Sequence, residues 1–531
     1  MRRFGTQGPV NSKDNYVVAR REELSDFIAR VKEGRYIVLF APRQTGKTTF
    51  FQDALKALVA EGTDYFPIQL NFEEYEDVTP ADFYHSLYKE IAKEIRKAFR
   101  ERGEQLSQEL DTFLTHAQIT NHISMREFFE RFAPFAENQR VVLIIDEFDG
   151  IPRAAINGFL RSLRRIYLTG REVRSPYSLG IIGVKNITQL NYDRSISPFN
   201  IQDEFTLPNF TLEQVSELLV QYTDEVGQQF APKVVETIHK QTAGQPFLVN
   251  RFAQILTEEL NISETETIQV SHFSQAHARL VEERNTNIEH LITNVRRDPR
   301  FERMLMRIAF YGSSYNFTFH NETISELATY GVITKGQDGA CQILNPIYLH
   351  CIVQALKPLI NGLEAEYFPE DGAIDFSEYI AATGQLQMQR LIENFKDFIA
   401  RAGFRILQVP DTPQEFVGQY LLFAYLDELV KIVGAVMYLE VPTGRGRSDL
   451  VISHSGQTYI VETKVWRSER SYQAGKQQLA TYLTSEGGTE GYYVVFDYRE
   501  NSEPRAETDT VDGHTIHSYV IPVLQTLPSQ P

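Results

Sequence analysis

Short apolar runs alternate with helical patterns through the first two hundred residues of the chain. The run YIVLFA at 36–41 ends at PRQTGKTT, and FFQDALKALVA at 50–60 then carries apolar residues at helical spacing. The runs RVVLIIDEFDG at 140–150 and YSLGIIGV at 177–184 are almost continuously apolar, as strands buried on both faces are. Strands that alternate with helices predict a parallel α/β sheet.

The pattern becomes helical from about residue 211. LEQVSELLVQY and VVETIHKQTAGQPFLVNRFAQILTEEL predict a helical domain over 206–285. Further helices lead to ISELATYGVITKGQDGACQILNP, a helix followed by two short strands, which predicts a winged helix over 286–364. Its recognition helix would carry Glu322 and Glu326 instead of Arg or Lys. We therefore expect a packing module and not a reader of DNA.

The last third of the chain begins with an acidic, weakly patterned stretch that predicts a linker over 365–382. Helical patterns follow at 383–403 and 413–433, and then a hairpin, DLVISHSGQTYIVETKVW, and the strand GYYVVFDY. The sequence predicts an α/β multidomain chain. The predicted domains are 1–205, 206–285, 286–364, the linker 365–382 and 383–531.

Composition narrows the class of protein. The 531 residues are 42% hydrophobic and 23% charged, as folded domains usually are. The net charge of −17 argues against a surface covered by nucleic acid, although it leaves room for a local basic groove. Two cysteines, Cys341 and Cys351, cannot form a disulfide framework and predict a reducing cytoplasm. No signal peptide and no apolar stretch of membrane-spanning length is expected.

The segment APRQTGKTT at 41–49 matches the phosphate-binding pattern GxxxxGK[ST], except that Ala41 occupies the position of the first glycine. Gly46 would let backbone N–H groups approach the phosphates, where the helix N-terminus adds positive potential. Lys47 would bridge the β- and γ-phosphates, and Thr48 would hold Mg²⁺. We expect the nucleotide to contact the whole loop: Ala41, Pro42, Arg43, Gln44, Thr45, Gly46, Lys47, Thr48 and Thr49.

A buried strand that ends in Asp146-Glu147 follows this loop by about one hundred residues. Asp146 would bind Mg²⁺ through water, and Glu147 would polarise the attacking water. A Gly-Lys-Thr helix start can arise by chance, but this one lies between a predicted strand and a predicted helix. The loop and the acids together predict that the chain binds ATP and hydrolyses it.

The C-terminal hairpin places Asp449, Glu462 and Lys464 at the rim of two apolar strands. Charged residues on core strands are costly unless they are paired or bound to a metal. The plain alternative is a strand end at which the charges reach water.

Over residues 15–360 the chain resembles AAA-ATPase-like proteins related to archaeal-type and STAND ATPases. GRYIVLFAPRQTGKTT, DEFDG, SPFNIQDEFTLPNFT and TAGQPFLVN carry this resemblance. It implies that the helical domain over 206–285 is a lid, and that Gly244 and Pro246 of this lid contact the nucleotide. It also implies that Tyr16, Val17 and Arg20 lie near the adenine.

The same resemblance suggests two further features. Asn186, just after GIIGV, would serve as a sensor of the nucleotide. If the chain forms a homo-oligomer, one of three arginines would act as an arginine finger: Arg161, Arg164 and Arg165. The alternative is that these arginines form a solvated basic helix face.

Over about 385–500 the chain resembles the PD-(D/E)XK nuclease superfamily, on EVPTGRGRSDLVI, YIVETKVW and the helix SYQAGKQQLATYL. The resemblance implies a restriction-endonuclease-like α/β domain. In it Asp449, Glu462 and the carbonyl of Thr463 would bind Mg²⁺ or Mn²⁺, both of which prefer oxygen ligands. Lys464 would act on the attacking water or on the scissile phosphate.

Further residues would complete this second site. Glu415 is the expected additional acid, with Glu440 as the second choice. Gln478 and Tyr482, at i and i+4 of one helix, would steady the site or the strand being cut. Local positive charge would come from Arg445 and Arg447.

Two accounts of function follow. In the favoured one, ATP bound with Mg²⁺ controls a metal-dependent nuclease that cuts DNA or RNA. In the alternative, the chain is a STAND-like switch or scaffold whose nuclease fold binds nucleic acid or protein without cutting. A helicase-like motor ranks below both, because no further motif of that kind is present.

Overall fold

The computed structural model describes residues 1–62, 64–136, 139–184, 201–283, 286–296, 298–311, 315–355, 379–381, 383–402, 414–440, 449–499 and 502–523. The chain divides into two compact units. The first comprises Met1–Leu218 with the short segments Gln245–Phe247 and Thr329–Gly331. The second comprises Leu219–Gly244, Leu248–Ala328 and Val332–Pro531.

The first unit is an α/β unit. Its described strands are β1 Tyr36–Phe40, β2 Tyr65–Asn71, β3 Arg140–Asp146, β4 Ser178–Gly183 and β5 Gln202–Glu204. Its described helices are α1 Arg21–Lys32, α2 Lys47–Ala60, α3 Pro80–Glu101, α4 Gln108–His116, α5 His122–Phe132 and α6 Arg153–Tyr167. Each predicted apolar run of this region forms a strand.

The five strands form one sheet in the order β2-β3-β4-β1-β5, and every neighbouring pair is parallel. The carboxyl ends of parallel strands meet at one edge of the sheet, which is where such folds bind ligands. The loop after β1 and the acids at the end of β3 therefore lie at the same edge, separated by β4.

Helices cover both faces of this sheet. Val38 of β1 belongs to a core with Phe83 of α3 and Phe159 of α6. Its neighbours Ile37 and Leu39 belong to a second core that includes residues of α1 and α2. Successive strand residues point to opposite faces, so a strand that is buried on both must be apolar throughout. This is why the strands read as unbroken hydrophobic runs.

The N-terminal part of the second unit is mostly helical. Helix α7, Leu212–Val226, crosses from the first unit into the second. The other helices and strands here are α8 Pro232–Thr242, α9 Pro246–Gln254, α10 Val270–Glu282, α11 Thr286–Arg296, α12 Pro299–Tyr311, α13 Glu322–Thr329, β6 Ile333–Lys335, β7 Cys341–Ile343 and α14 Pro346–Ala355. Strands β6 and β7 pair antiparallel.

The C-terminal part of the second unit contains a mixed sheet. Two helices precede it, α15 Met388–Ala402 and α16 Gln414–Val433. Then follow β8 Val436–Glu440, β9 Asp449–His454, β10 Gln457–Val465, α17 Glu469–Glu486, β11 Glu490–Asp497, β12 Arg505–Val511 and β13 His514–Pro522. The strand order is β12-β13-β11-β10-β9-β8.

Strands β8, β9 and β10 form an antiparallel meander, whereas β10 and β11 are parallel and are joined by α17. Helix α17 packs Leu479 and Leu483 against Ile460 of β10 and Tyr493 of β11. The approach is close, because a Cβ added at Gly475 would lie 2.0 Å from the hydroxyl oxygen of Tyr493. Glycine at this helix position is therefore required by packing.

The edge strand β8 is covered by helices of the same unit. Tyr438 of β8 lies 5.7 Å, between ring centroids, from His277 of α10. His277 in turn lies 6.1 Å from His350 of α14. Burial lowers the pKa of His277 to about 3, so its ring is neutral. Across the described ranges, no helix has the length and apolar character needed to span a membrane.

Candidate functional site

The loop between β1 and α2 turns at two residues with left-handed backbone, Gln44 at φ 60° and Gly46 at φ 82°. Ala41, where the pattern has its first glycine, is not among the residues with positive φ. Its N–H donates to the carbonyl of Gly183 at the end of β4. A Cβ added at Gly46 would meet no atom within 4 Å. The loop thus needs glycine at 46 for conformation, and it leaves open space there.

Lys47 is buried within this loop, with 6% of its surface exposed. Its ammonium donates to the carbonyl oxygens of Ala41 and Pro42, each at 2.8 Å. Burial lowers its pKa, while Glu147 and Asp146 act in the opposite direction. An ammonium has three donors. The two carbonyls occupy two of them, so the group can also donate to an anion in the loop.

The acids at the end of β3 lie next to the start of α2. The Thr48 hydroxyl donates to Asp146 Oδ2 at 3.0 Å, and the Glu147 N–H donates to Asp146 Oδ1 at 3.0 Å. Burial raises the pKa of both carboxyl groups. Glu147 has φ 49°, an uncommon angle for a residue with a side chain. Hydroxyl and carboxylate oxygens side by side are a donor set that suits Mg²⁺.

Distant segments of the first unit also contact the loop. Gln245 donates through Nε2 to the carbonyl of Gln44 at 3.3 Å. The backbone N–H of Val10 donates to Thr49 Oγ1 at 3.2 Å. A Cβ added at Gly331 would lie 2.4 Å from a ring carbon of Pro42. The contacts of Val10 and Gly331 were not predicted from the sequence, because nothing in their local pattern marks them.

The lid motif has a sharp turn at its centre. Helix α8 ends at Thr242, the next two residues, Ala243 and Gly244, both have positive φ, and α9 begins at Pro246. Gly244 donates its N–H to the Thr242 hydroxyl at 3.1 Å. Gln245 lies between Gly244 and Pro246, the two predicted nucleotide contacts, and its side chain contacts the phosphate-binding loop at Gln44.

The N-terminal segment contributes a buried arginine. Arg20 is 7% exposed, donates to the carbonyl of Pro208 at 2.7 Å and stacks 4.7 Å from the ring centre of Phe210. Burial lowers its pKa to about 10, with Glu23 opposing. Its Nη2 has no hydrogen-bond partner among the described residues. Tyr16 is also buried. Asn186 lies outside the described residues.

Three predicted acids, Glu440, Asp449 and Glu462, occupy neighbouring register positions on β8, β9 and β10 of the C-terminal sheet. Glu440 of β8 pairs directly with Asp449 of β9. Leu450 pairs with Val461 of β10, so Asp449 and Glu462 are the next residues of that ladder. Three neighbouring strands therefore carry acids at adjacent register positions. The side chains of Glu440 and Asp449, that of Glu415 in α16, and the whole of Arg445 and Arg447 lie outside the described residues.

Glu462 and Lys464 form a buried charge pair. The Glu462 side chain is 0% exposed, and Lys464 Nζ lies 2.5 Å from its Oε1. Burial raises the pKa of Glu462, and Lys464 opposes this. Oε2 has no hydrogen-bond partner in the described part of the chain, which leaves a buried oxygen available for a ligand.

The remaining predicted residues of this site are spread around it. Thr463 is 5% exposed and pairs with Val494 of β11, so its side chain points to the face opposite Glu462. Gln478 is exposed on α17. Tyr482 is half-buried, and Lys240 Nζ of α8 lies 5.3 Å from its ring centre. Among the side chains that the structure describes, no three His, Cys, Asp or Glu residues are grouped closely enough to hold a metal.

Two arginines stack on Trp466, which lies two residues after Lys464, and the sequence did not predict this contact. The guanidinium carbons of Arg499 and Arg505 lie 4.7 and 5.0 Å from the ring centre of Trp466. Arg467 and Arg470, at the start of α17, are exposed and make no ion pair with a described residue. Arg499 and Arg505 are more than thirty residues from Trp466, so only the fold brings them together.

Residues 6–348 match the AAA-like domain family. The chain belongs to that family. The match covers the phosphate-binding loop, Asp146-Glu147 and the Gln245 segment, and the predicted P-loop ATPase region is confirmed. Residues 385–500 match a second family, described as a domain of unknown function (DUF8371). This match gives the C-terminal sheet of the AAA-like protein no activity and does not identify it as a nuclease.

A relative and several solved structures are similar to the AAA-like protein. An uncharacterized WD repeat-containing protein of Synechocystis sp. is 23% identical over 272 residues, 50% of this chain and 22% of that protein. The chain thus spans about a fifth of that relative's length. The Walker-type ATPase PABY2304 of Pyrococcus abyssi is 16% identical with a TM-score of 0.47, over 66% of this chain and 99% of that one.

Two further structures are similar at lower TM-scores. The ORC1 protein of Aeropyrum pernix in complex with DNA is 16% identical with a TM-score of 0.31, over 64% of this chain and 92% of that one. The RuvB Holliday junction branch migration motor of Thermotoga maritima is 13% identical with a TM-score of 0.31, over 62% of this chain and 92% of that one. At these TM-scores the likenesses carry no argument about function.

Proposed function

We propose that the AAA-like region binds and hydrolyses ATP, and that its nucleotide state controls divalent-metal-dependent cleavage of nucleic acid by the C-terminal sheet. One observation carries the nuclease half. Acids occupy adjacent register positions on β8, β9 and β10, and the last of them, Glu462, is fully buried with Lys464 beside it. A buried carboxylate with an unused oxygen is costly unless it serves a ligand.

In the AAA-like region each residue would have a separate role. Lys47 would move one donor from a loop carbonyl to the β- and γ-phosphates. Thr48 and Asp146, already 3.0 Å apart, would hold Mg²⁺ between them. Glu147 would take a proton from the attacking water, and its raised pKa brings it closer to the pH at which a base works well. Residues 41–49 would surround the phosphates, with Gly244 and Pro246 closing from the lid.

In the C-terminal sheet Asp449, Glu462 and the Thr463 carbonyl would hold the metal ion. Glu462 Oε2 supports this fit, because it is buried and has no described hydrogen-bond partner. Bound Mg²⁺ or Mn²⁺ would polarise the scissile phosphate and lower the pKa of a water. Lys464 would orient that water or offset charge on the phosphate. Two carboxylates about 4 Å apart repel by about 4 kcal/mol at an effective dielectric of 20, which a cation relieves.

Positive charge beside this site supports a nucleic-acid substrate. The two guanidinium groups that stack on Trp466 are paired with carboxylates, Arg499 with Asp497 and Arg505 with Glu469. Arg467 and Arg470 follow Trp466 in the chain and have no ion-pair partner among the described residues. Such cations fit phosphate oxygens, since guanidinium groups bind them with paired hydrogen bonds. Gln478 and Tyr482, one turn apart on α17, would guide the strand.

Contacts within the second unit support control by the nucleotide. Lys233 and Lys240 of α8 each lie 3.2 Å from a carboxylate oxygen of Glu486 at the end of α17. Helix α8 ends at Thr242, three residues before Gln245, which contacts the phosphate-binding loop. A change in the loop would thus reach α17 through one short helix.

A second candidate function is a switch or scaffold that binds without cutting. One observation favours it. Lys464 neutralises Glu462 with no metal, so the pair is also a stable structural feature.

A cleavage assay separates the two. Labelled DNA and RNA, single- and double-stranded, would be incubated with the purified protein, Mg²⁺ or Mn²⁺, and ATP. We expect metal-dependent cleavage that Glu462→Gln abolishes. Glu503→Gln, an exposed glutamate of the same domain that makes no ion pair with a described residue, is the matched control and should cleave normally. Absence of cleavage from wild type under every condition would favour the switch.

A further inference from the structure

A basic groove runs along α3 of the first unit, far in sequence from both sites described above. It encloses about 420 Å³. Five of its eight lining residues are cations that follow one another at helical spacing: Lys89, Lys93, Arg96, Lys97 and Arg100. None of the five side chains is fully buried: Arg96 is half-buried and the other four are exposed. In a chain with a net charge of −17, such a concentration of positive charge stands out.

Carboxylates neutralise only part of this charge. Arg96 pairs with Asp111 at 3.3 Å, and Lys97 pairs with Glu94 at 3.1 Å. The other three cations, Lys89, Lys93 and Arg100, make no ion pair with a described residue. Burial raises the pKa of the Glu90 carboxyl, and nearby Lys93 opposes that rise. Like charges at i and i+4 repel each other on a helix. An anion bound along the groove would relieve this repulsion.

The dimensions of the groove favour a chain of phosphates over a single one. Cations four residues apart are separated by about 6 Å along the helix, and Lys89 to Arg100 spans roughly 16 Å. A strand of nucleic acid in a duplex carries one charge per roughly 3.4 Å. The basic face is therefore long enough to contact several successive phosphates.

The floor of the groove is apolar. Its remaining lining residues are Tyr88, Ala92 and Leu114, and the Tyr88 hydroxyl already donates to the Leu114 carbonyl. An acidic peptide would bring backbone amides, which this floor offers little to satisfy. A nucleic-acid strand has no such amides, and its sugar and base surfaces suit an apolar floor below a row of cations. We propose that the α3 groove binds the phosphate backbone of a single-stranded nucleic acid.

The test measures binding of the full chain without divalent metal, so that cleavage plays no part. Fluorescence anisotropy would follow a labelled single-stranded oligonucleotide in EDTA over a series of salt concentrations. The protein would carry Arg467→Gln and Arg470→Gln throughout, which removes the two cations that follow Trp466 in the chain and have no ion-pair partner among the described residues. Into this background we would introduce a groove triple variant: Lys89→Gln, Lys93→Gln and Arg100→Gln.

Three lost phosphate contacts should weaken binding by roughly 100-fold at 0.1 M salt, because each contributes about 0.7 to the slope of log affinity against log salt. The magnitude of the slope of log affinity against log salt should decrease by about 2 in the groove variant. A control triple variant removes the same three positive charges from exposed sites outside the groove: Lys13→Gln, Arg171→Gln and Lys335→Gln. This variant should bind the oligonucleotide as tightly as its parent does. Circular dichroism and ATP affinity would show that both variants are folded.

Other outcomes would overturn the proposal. Equal losses in the groove and control variants would show only non-specific attraction by net charge. Tighter binding of a duplex than of the single strand would contradict the strand preference. Binding of polyglutamate that is lost in the groove variant, with oligonucleotide binding unchanged, would identify a peptide site instead. Because no step requires a metal, an inactive C-terminal sheet would leave this test intact.

Discussion

The charge pair of Glu462 and Lys464 should respond asymmetrically to removal of its two members. Lys464→Met leaves a fully buried carboxylate without its cation, which typically costs about 3–5 kcal/mol of unfolding free energy. Glu462→Gln removes the buried charge and leaves Lys464, whose side chain is 18% exposed and can reach water. Its cost should stay within about 1 kcal/mol, the usual contribution of a partly exposed ion pair.

The sign of the pH dependence follows from the raised pKa of Glu462. A carboxyl with a raised folded pKa favours folding most below its unfolded pKa, about 4.3, and loses that contribution as pH rises through the folded pKa. The stability of Glu462→Gln relative to wild type should therefore increase as pH rises from about 4. The cost of Lys464→Met should shrink as pH falls, because Glu462 then takes up a proton.

The assay is urea unfolding followed by tryptophan fluorescence. Trp466 is the single tryptophan of the chain and lies two residues from Lys464, so its signal reports on the C-terminal sheet. Saturating Mn²⁺ should stabilise wild type and not Glu462→Gln. Glu503→Gln, at an exposed position with no ion pair to a described residue, serves as the control for a lost carboxylate. The reasoning fails if Glu462→Gln destabilises as much as Lys464→Met, or if neither effect depends on pH.

Three further predictions concern other residues. Lys47→Ala should abolish ATP·Mg²⁺ binding in calorimetry, while Lys56→Ala, an exposed lysine of the same helix, binds normally; unchanged affinity in the first variant would refute the loop assignment. Glu147→Gln should retain ATP and slow phosphate release by at least about tenfold, since a positioned base typically contributes 10²–10⁴-fold; a normal rate would exclude Glu147 as the base. His277, with a pKa of about 3, binds fewer protons folded than unfolded, so stability is lost as pH falls below about 6.5. In wild type, the urea concentration at half-unfolding, followed by Trp466 fluorescence, should decrease between pH 6.5 and 4.5. In His277→Phe this decrease should be smaller, and an equal decrease in both proteins would contradict the prediction.

The sequence was most informative where chemistry and local pattern coincide. The loop 41–49 and Asp146-Glu147 were found because a strand, a glycine turn and a helix follow one another in the chain. Apolar runs predicted three strands of each sheet, β1, β3 and β4 in the first and β9, β10 and β11 in the second. The remaining strands of the two sheets were not predicted: β2, β5, β8, β12 and β13. The hydrogen bond from Thr48 to Asp146 could be anticipated, because parallel strands put both at one edge of the sheet.

Features formed by distant segments were not predicted. Arg499 and Arg505 meet Trp466 only through the strand order of the mixed sheet. Lys476 is another example: it is buried, with 3% of its side chain exposed, and its ammonium pairs with Glu507 and Asp509 of β12. The basic residues of α3 are visible in sequence, but without the groove they read as a solvated helix face. No periodic pattern reports such contacts.

Some expectations stay predictions. The resemblance over residues 15–360 grouped the lid and winged helix with the ATPase, whereas the compact units group most residues after Leu219 with the C-terminal sheet. Tyr379, within the predicted linker, is buried. The roles of Asp449, Glu415, Gln478 and Tyr482 also await experiment, as does a homo-oligomer.

The measurement that tests the central claim most directly is the rate of oligonucleotide cleavage with and without ATP, in wild type and Lys47→Ala. The account predicts metal-dependent cleavage whose rate changes with ATP in wild type. In Lys47→Ala the cleavage should persist but no longer respond to ATP, because the two chemistries use separate residues. Cleavage that survives in Glu462→Gln, or an ATP response that survives in Lys47→Ala, would contradict the account.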